Sequence, residues 1–124
     1  MWDKRVDPKY YGTTTFSDCE LAWTNIGNRA LMYKQIWNGI IREGEEVARK
    51  NTGRSHPTQK PIRLMEWCIV NAGETKIILD PFAGSGSMLV AAKRLRRLAI
   101  GIEIEERYCE ITAKRLLQSE MQFE

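Results

Sequence analysis

The chain has few cysteines, a single histidine and no long hydrophobic run. The three cysteines Cys19, Cys68 and Cys109 lie far apart in the sequence. No close pair predicts a zinc site or a disulfide framework, so we expect buried free thiols and no metal site. No apolar segment approaches the roughly 18 residues of a membrane span, and the first residues lack the apolar stretch of a signal peptide. We therefore expect a cytoplasmic protein without a membrane partner.

The composition that remains is that of an ordinary soluble domain. A chain of 124 residues is long enough to bury one hydrophobic core. A net charge of +3 is only a weak indication of an anionic partner. Basic residues cluster where a predicted helix ends, so they either offset the helix dipole or contact nucleic acid. This cluster consists of Lys93, Arg94, Arg96 and Arg97.

Two short apolar segments predict strands in the second half of the chain. Residues 76–80 and 98–102 are apolar and rich in β-branched side chains, which is typical of strands buried on both faces. Helical patterns alternate with them over short connections. We therefore predict an α/β fold, with a right-handed parallel crossover between the two strands.

Apolar residues at helical spacing predict three helices around these strands. The first begins at Pro61 and ends at Gly73, and the last begins at Glu105. The three apolar stripes are Met65, Cys68, Ile69 and Ala72; Met88, Ala91, Ala92 and Leu95; and Cys109, Ala113, Leu116 and Leu117.

Residues 1–55 are less regular and rich in aromatic side chains. Short strands are predicted at Leu21–Thr24 and Leu31–Trp37, the second from the alternation of side chains along it. Residues 41–55 are polar and mixed in charge. We expect a β-rich segment followed by a loop.

A glycine turn joins the first predicted strand of the second half to the helix after it. Gly84 and Gly86 permit backbone angles or a close approach that a Cβ would forbid. The helix that follows offers free N–H groups, and Glu103 ends the next strand near the roughly 20-residue offset of a ribose-binding acid. The combination predicts a nucleoside-cofactor site, although a strand–helix–strand crossover without a ligand would share this pattern.

The residues around the turn discriminate between nucleosides. Leu89 stands where a dinucleotide site has its third glycine, and no Gly-Lys-Ser/Thr ending marks a phosphate loop. Asp80 would repel a pyrophosphate but can balance the positive charges of S-adenosylmethionine. Phe82 can form an apolar wall beside that cofactor.

The segment His56-Pro57-Thr58-Gln59-Lys60-Pro61 places hydrogen-bonding groups at the start of the first predicted helix. His56 can be an acid, a base, a ligand or a structural residue of a proline-bounded turn.

Three motifs together resemble those of the exocyclic-amino (N6-adenine/N4-cytosine) DNA methyltransferases, in the permuted β-type group. They are the 56–61 segment, residues 80–86 and Gly101-Ile102-Glu103, in the order and close spacing of that family. The resemblance implies a partial Rossmann-like methyltransferase fold and S-adenosylmethionine as cofactor. It assigns cofactor binding to Thr58, Lys60, Asp80, Phe82, Gly84, Ser85, Gly86 and Glu103.

The resemblance also suggests how the chain is divided. Residues 1–37 resemble late sheet strands and loops, and residues 56–119 form the cofactor-binding unit, followed by a tail over 120–124. By position, residues 38–55 are the target-recognition loop that contacts double-stranded DNA in the full enzyme. A solvated loop would have the same composition.

The family's catalytic Asp/Asn/Ser-Pro-Pro-aromatic loop has no good counterpart. Asp7-Pro8-Lys9-Tyr10 has a lysine in place of the second proline, so we assign no catalytic residue and expect that loop to lie upstream of Met1. The leading hypothesis is the C-terminal, cofactor-binding part of a phage-like adenine-N6 (less favoured, cytosine-N4) DNA methyltransferase, inactive alone. The first alternative is a non-catalytic binding module. It would be either a remnant or half of a split enzyme that needs self-association or a complementing N-terminal chain. The second alternative is a methyltransferase acting on RNA or small molecules.

Overall fold

A computed structural model describes residues 1–4, 19–27, 30–36 and 59–118. The chain divides into two compact units, Met1–Val47 and Ala48–Glu124. Several predicted features lie outside the described residues: Thr58 and His56, the segment Asp7–Tyr10, the loop over 38–55 and the tail over 120–124.

The described residues of the first unit form three strands of two residues each: β1 (Trp2–Asp3), β2 (Cys19–Glu20) and β3 (Tyr33–Lys34). β1 lies in the centre, antiparallel to β2 and parallel to β3. The Trp2 indole donates a hydrogen bond to the Gln35 carbonyl at 3.3 Å, and both residues are buried. This arrangement confirms a β-rich N-terminal segment.

The predicted bounds of two strands in this unit were wrong. Residues 21–24 form no strand, and Leu21 and Trp23 are 79% and 89% exposed. Within the predicted strand Leu31–Trp37, only Tyr33–Lys34 pairs, and Trp37 lies outside the described residues. A strand extends only as far as its partner, and β1 offers two residues to each neighbour.

The second unit contains α1 (Ile62–Asn71), β4 (Ile77–Asp80), α2 (Ser87–Arg94), β5 (Leu98–Gly101) and α3 (Glu106–Gln118). β4 and β5 are parallel and in register from Ile77 opposite Leu98 to Asp80 opposite Gly101. This strand–helix–strand unit confirms the α/β fold class.

The core of the second unit lies between the helices and one face of the two-stranded sheet. Ile69 of α1 and the fully buried Ala91 and Ala92 of α2 form its centre. Ile78 and Ala99 pack against it from the sheet. The small alanine side chains let α2 approach the strands closely. The whole stripe predicted for α2 lies in this core, as do Met65 and Ile69 of the stripe predicted for α1.

Burial of the strands on both faces was a wrong prediction. Ile77, Leu79, Leu98 and Ile100 are between 56% and 70% exposed. Side chains alternate across a strand, so the described helices cover Ile78 and Ala99 and leave the other four on the opposite face. The apolar composition of both strands thus indicates that a further element packs on this opposite face, and the described residues include no such element.

The stripe predicted for α3 was wrong in three of its four residues. Cys109, Ala113 and Leu117 are exposed, and Thr112 is the buried residue of this helix. The inward face includes the polar Thr112 and Arg115 because α3 packs against the glycine turn as well as against α2. The less exposed side of α3 carries Tyr108, Ile111, Thr112, Arg115 and Leu116.

The expected burial of the three thiols holds only in part. None of the three cysteines forms a disulfide; Cys19 and Cys68 are half-buried and Cys109 is exposed. Burial raises the pKa of the Cys68 thiol above its ordinary value. None of the described helices is long and apolar enough to cross a membrane.

Candidate functional site

A left-handed turn connects the last residue of β4, Asp80, to the first turn of α2. Gly84 and Gly86 have φ values of 54° and 76°, a region that side chains with a Cβ rarely enter. Gly86 is the N-cap residue of α2, and its N–H donates to the Ala83 carbonyl at 2.8 Å. The two glycines are therefore required by the backbone path of the turn.

The end of β5 holds the beginning of this turn. The Ile102 N–H donates to the Asp80 carbonyl at 2.8 Å, and the Ala83 N–H donates to the Ile102 carbonyl at 2.9 Å. The Asp80 carboxylate accepts a hydrogen bond from the Phe82 N–H at 3.2 Å. Asp80 is thus fixed at the carboxyl edge of the parallel sheet, where open α/β sheets bind ligands.

Glu103 supports the turn through both carboxylate oxygens. Its Oε2 accepts a hydrogen bond from the Gly84 N–H at 2.7 Å, and its Oε1 accepts one from the Glu105 N–H at 2.9 Å. Each carboxylate oxygen has a further lone pair that can accept a bond from a ligand hydroxyl. The sequence indicated the place of this acid but not its contact with the turn.

Helix α3 contacts the turn from another direction. The Thr112 hydroxyl donates to the Gly84 carbonyl at 3.1 Å. The Arg115 guanidinium donates to the Ser85 carbonyl at 2.5 Å and to the Ser85 hydroxyl at 3.1 Å. A Cβ added at Gly86 would lie 2.4 Å from Cγ2 of Thr112, so glycine is also required there for close packing.

A cavity of about 330 Å³ opens beside the turn. It brings Lys60, from the segment before α1, into one site with Asp80, and Phe82 on its rim is 88% exposed. Gly86 and Glu103 do not line it, but both hold the turn that does. Of the residues predicted for cofactor binding, the cavity is lined by Lys60, Asp80, Phe82, Gly84 and Ser85.

Two polar residues of this cavity, Gln59 and Ser87, were not among the residues predicted for cofactor binding. Ser87 lines it, and its buried hydroxyl has no hydrogen-bond partner among the described residues. An unsatisfied buried hydroxyl is costly, so this atom fits a site whose ligand supplies the missing partner. The signal was a hydroxyl residue directly after the glycine turn, in the first turn of a helix.

Comparison with known proteins places this geometry in a family. The DNA methylase family of N6 and N4 enzymes matches residues 10–114 of the chain. The chain belongs to this DNA methylase family. The match covers the described second unit up to Lys114, including the glycine turn and Glu103.

The DNA methylase relatives are considerably longer than this chain. It is 44% identical over 120 residues to the type II methyltransferase M2.DpnII of Streptococcus pneumoniae, covering 94% of the chain and 40% of that protein. It is 34% identical over 91 residues to the type II methyltransferase M.HinfI of Haemophilus influenzae, covering 72% of the chain and 25% of that protein. The chain thus spans about two fifths of the length of M2.DpnII.

A solved structure of M1.HpyAVI in complex with SAM is also similar to this chain. It is 45% identical and covers 52% of this chain and 34% of M1.HpyAVI, with a TM-score of 0.46.

Proposed function

We propose that the turn and the cavity beside it bind S-adenosylmethionine and form the cofactor-binding part of a DNA methyltransferase. The observation that carries this proposal is that Asp80 and Lys60 line the same cavity next to a glycine turn. S-adenosylmethionine carries a positive sulfonium and ammonium and a negative carboxylate. Asp80 can offset the positive groups, and Lys60 can pair with the carboxylate.

The rest of the cavity suits the other parts of the cofactor. Met65, Leu79 and Met88 line it with apolar surface, and the exposed Phe82 ring is available for the adenine or the methionine chain. The Ser87 hydroxyl would gain the partner it lacks among the described residues. Glu103 lies beside the turn, where its carboxylate can hold the ribose hydroxyls while it keeps the Gly84 N–H.

The reaction that we propose for the full enzyme is methyl transfer to the N6 amine of adenine in double-stranded DNA, with cytosine N4 less favoured. The cofactor supplies an electrophilic methyl group on its sulfonium. The residues of this chain bind and orient it, so the flipped base can attack in line. The type II methyltransferase relatives support a place in restriction-modification.

We assign no catalytic residue to this chain. Asp7-Pro8-Lys9-Tyr10 departs from the family's Pro-Pro motif, and the chain spans 40% of M2.DpnII. We propose that the chain alone transfers no methyl group, and that the catalytic loop belongs to a part of the fold outside these residues. Incorporation of labelled methyl into mixed-sequence DNA by the purified chain would contradict this.

The functions of the other segments are also proposals. Residues 1–37 would be late sheet strands, 38–55 a target-recognition loop that contacts DNA, and 56–119 the cofactor-binding unit before a tail at 120–124. Thr58 would join the cofactor residues from the segment before α1. A cytoplasmic location and a phage origin remain predictions.

A second candidate function is a binding module that acts with another chain. The exposed sheet face of Ile77, Leu79, Leu98 and Ile100 favours it, because contiguous apolar surface on a soluble protein commonly marks an interface. Self-association or a complementing N-terminal chain would cover this face. The cofactor-binding proposal stands in either case.

Calorimetric titration with S-adenosylmethionine tests the proposed function. We expect saturable binding at one site per chain, weakened about tenfold by Asp80→Asn, because that substitution removes the negative charge and keeps an acceptor for the Phe82 N–H. Glu110→Gln, which makes the same charge change at an exposed residue of α3, is the control and should leave binding unchanged. A folded chain without saturable binding, or equal affinities for the wild type and Asp80→Asn, would refute the proposal.

A further inference from the structure

Helix α3 holds the two residues at the centre of the glycine turn through their carbonyl oxygens. Thr112 donates to the Gly84 carbonyl and Arg115 to the Ser85 carbonyl. Neither donor lines the cavity, whereas Gly84 and Ser85 both do. Any effect of these two side chains on a bound ligand must therefore pass through the turn.

The turn needs such support because of its own composition. Two glycines within three residues lose much conformational freedom on adopting one backbone path. Both adopt left-handed φ values, 54° and 76°, and the turn contains few side chains that pack. External hydrogen bonds select one conformation: Glu103 and Ile102 accept from N–H groups of the turn, and the two α3 side chains donate to its carbonyl groups.

The direction of those hydrogen bonds determines what the turn presents to the cavity. In a planar trans peptide the C=O and the following N–H point in opposite directions. The Gly84 carbonyl points to Thr112, so the Ser85 N–H points away from α3. The Ser85 carbonyl points to Arg115, and the Gly86 N–H correspondingly donates to the Ala83 carbonyl within the turn.

The burial of the two donors supports a specific role. Thr112 is 7% exposed and is the one buried residue of α3, although an apolar side chain would fill a purely packing position more cheaply. Arg115 is half-buried, with its guanidinium on the turn. A charged donor makes a stronger hydrogen bond to a carbonyl than a neutral one.

We propose that Thr112 and Arg115 are positioning residues for cofactor binding, fixing the Gly84–Ser85 and Ser85–Gly86 peptides so that the turn keeps one backbone path and presents the Ser85 N–H to the ligand. This inference rests on the proposed function of the turn. Two residues of the last helix, about thirty positions after the turn in sequence, would thereby set the affinity for S-adenosylmethionine without touching it.

Conservative variants separate positioning from packing. Thr112→Val removes the hydroxyl and keeps the shape, so we expect S-adenosylmethionine affinity to fall about three- to tenfold, in line with one lost hydrogen bond. Thr112→Ser keeps the hydroxyl and should stay within about twofold of the wild type. The control is Thr75→Val, because the buried Thr75 hydroxyl has no partner among the described residues.

Arg115 has its own matched pair. Arg115→Met removes the donor and keeps much of the side-chain stem, so affinity should fall by about tenfold. Lys114→Met makes the same charge change at the neighbouring exposed residue and should have no effect. Equal affinities for the wild type, Thr112→Val and Arg115→Met would overturn the inference, as would equal losses in Thr112→Val and Thr112→Ser.

A measurement without cofactor keeps this inference distinct from the proposed function. The Gly84 and Gly86 amides donate to Glu103 and Ala83, and their hydrogen exchange reports how well the turn is fixed. We expect faster exchange in Thr112→Val and unchanged exchange in Thr112→Ser and Thr75→Val. If the wild type binds no S-adenosylmethionine, the proposed function and the cofactor role fail together, and this exchange pattern alone decides whether α3 orders the turn.

Discussion

At the scale of single residues, Gly86 shows why the turn tolerates only one amino acid at its last position. It has a left-handed φ of 76°, and a Cβ there would approach Thr112 within 2.4 Å. Gly73, which follows the end of α1, has a similar φ of 82° but no atom within 4 Å of such a Cβ. Comparison of Gly86 with Gly73 therefore distinguishes the effect of steric overlap from that of backbone strain alone.

We predict that Gly86→Ala lowers the free energy of unfolding by about 2–4 kcal/mol, and Gly73→Ala by about 1 kcal/mol. Both variants force a Cβ into the left-handed region, but only the first also displaces Thr112. Urea denaturation of both variants and the wild type measures the difference. Equal losses would mean that α3 moves aside freely and does not hold the turn.

Single residues also show what a sequence can predict about a site. The Asp80, Gly84 and Glu103 positions follow from a strand, a turn and an acid after the next strand, so the sequence pattern alone predicts their place in the fold. Ser87 and Thr112 could not, because their roles depend on how a helix is rotated about its axis. The sequence predicts Glu103 as a ribose ligand but not its bond to the Gly84 N–H, which depends on how the turn folds against the end of β5.

At the scale of elements, α2 ends in a hydrogen-bonded reversal that usually requires glycine. The Arg96 N–H donates to the Lys93 carbonyl at 2.9 Å, and the Arg97 N–H donates to the Ala92 carbonyl at 2.8 Å. This is the Schellman arrangement, whose left-handed position is occupied here by Arg96 with a φ of 54°. The helix end therefore stores backbone strain that a glycine would remove.

We predict that Arg96→Gly raises the free energy of unfolding by about 0.5–1 kcal/mol. The substitution removes the strain of the left-handed backbone, and the greater entropy of glycine in the unfolded chain offsets part of this gain. Arg96→Ala, which loses the same charge but keeps the strain, should not stabilise. Thermal unfolding of both variants distinguishes these effects. Stabilisation by Arg96→Ala alone would assign the effect to charge repulsion among the basic residues at this helix end.

Elements differed in how well their sequences predicted them. The helical spacing located α1 and α2, which pack against each other, and α2 also packs on the sheet. The same reasoning misplaced the buried face of α3, because that face meets the backbone of a polar turn. In the first unit, the alternation in 31–37 indicated strand character but not its extent, which the two residues of β1 determine.

At the scale of the whole molecule, the apolar face of the sheet has no cover among the described residues. Ile77 pairs with Leu98 and Leu79 with Ile100, so the four side chains form one patch, each more than half exposed. The apolar sequences of β4 and β5 predict a strand pair buried on both faces, and no described residue covers this second face. Such a patch favours association.

We predict that the wild-type chain binds a hydrophobic dye and scatters light above the mass of one chain at high concentration. The double variant Ile77→Lys/Leu98→Glu should reduce both signals without changing net charge. The control is Glu110→Lys/Lys114→Glu, an equally charge-neutral exchange on the exposed side of α3. A wild-type chain that stays monomeric and binds no dye would refute an interface on this face.

The measurement that tests the central claim most directly is an amide-resolved NMR titration of the chain with S-adenosylmethionine. The account predicts saturable shifts concentrated at Gly84, Ser85, Gly86 and the residues that line the adjoining cavity, with ATP producing none there because Asp80 repels its phosphates. Unchanged amides in this turn at saturating S-adenosylmethionine, or stronger shifts with ATP, would contradict it.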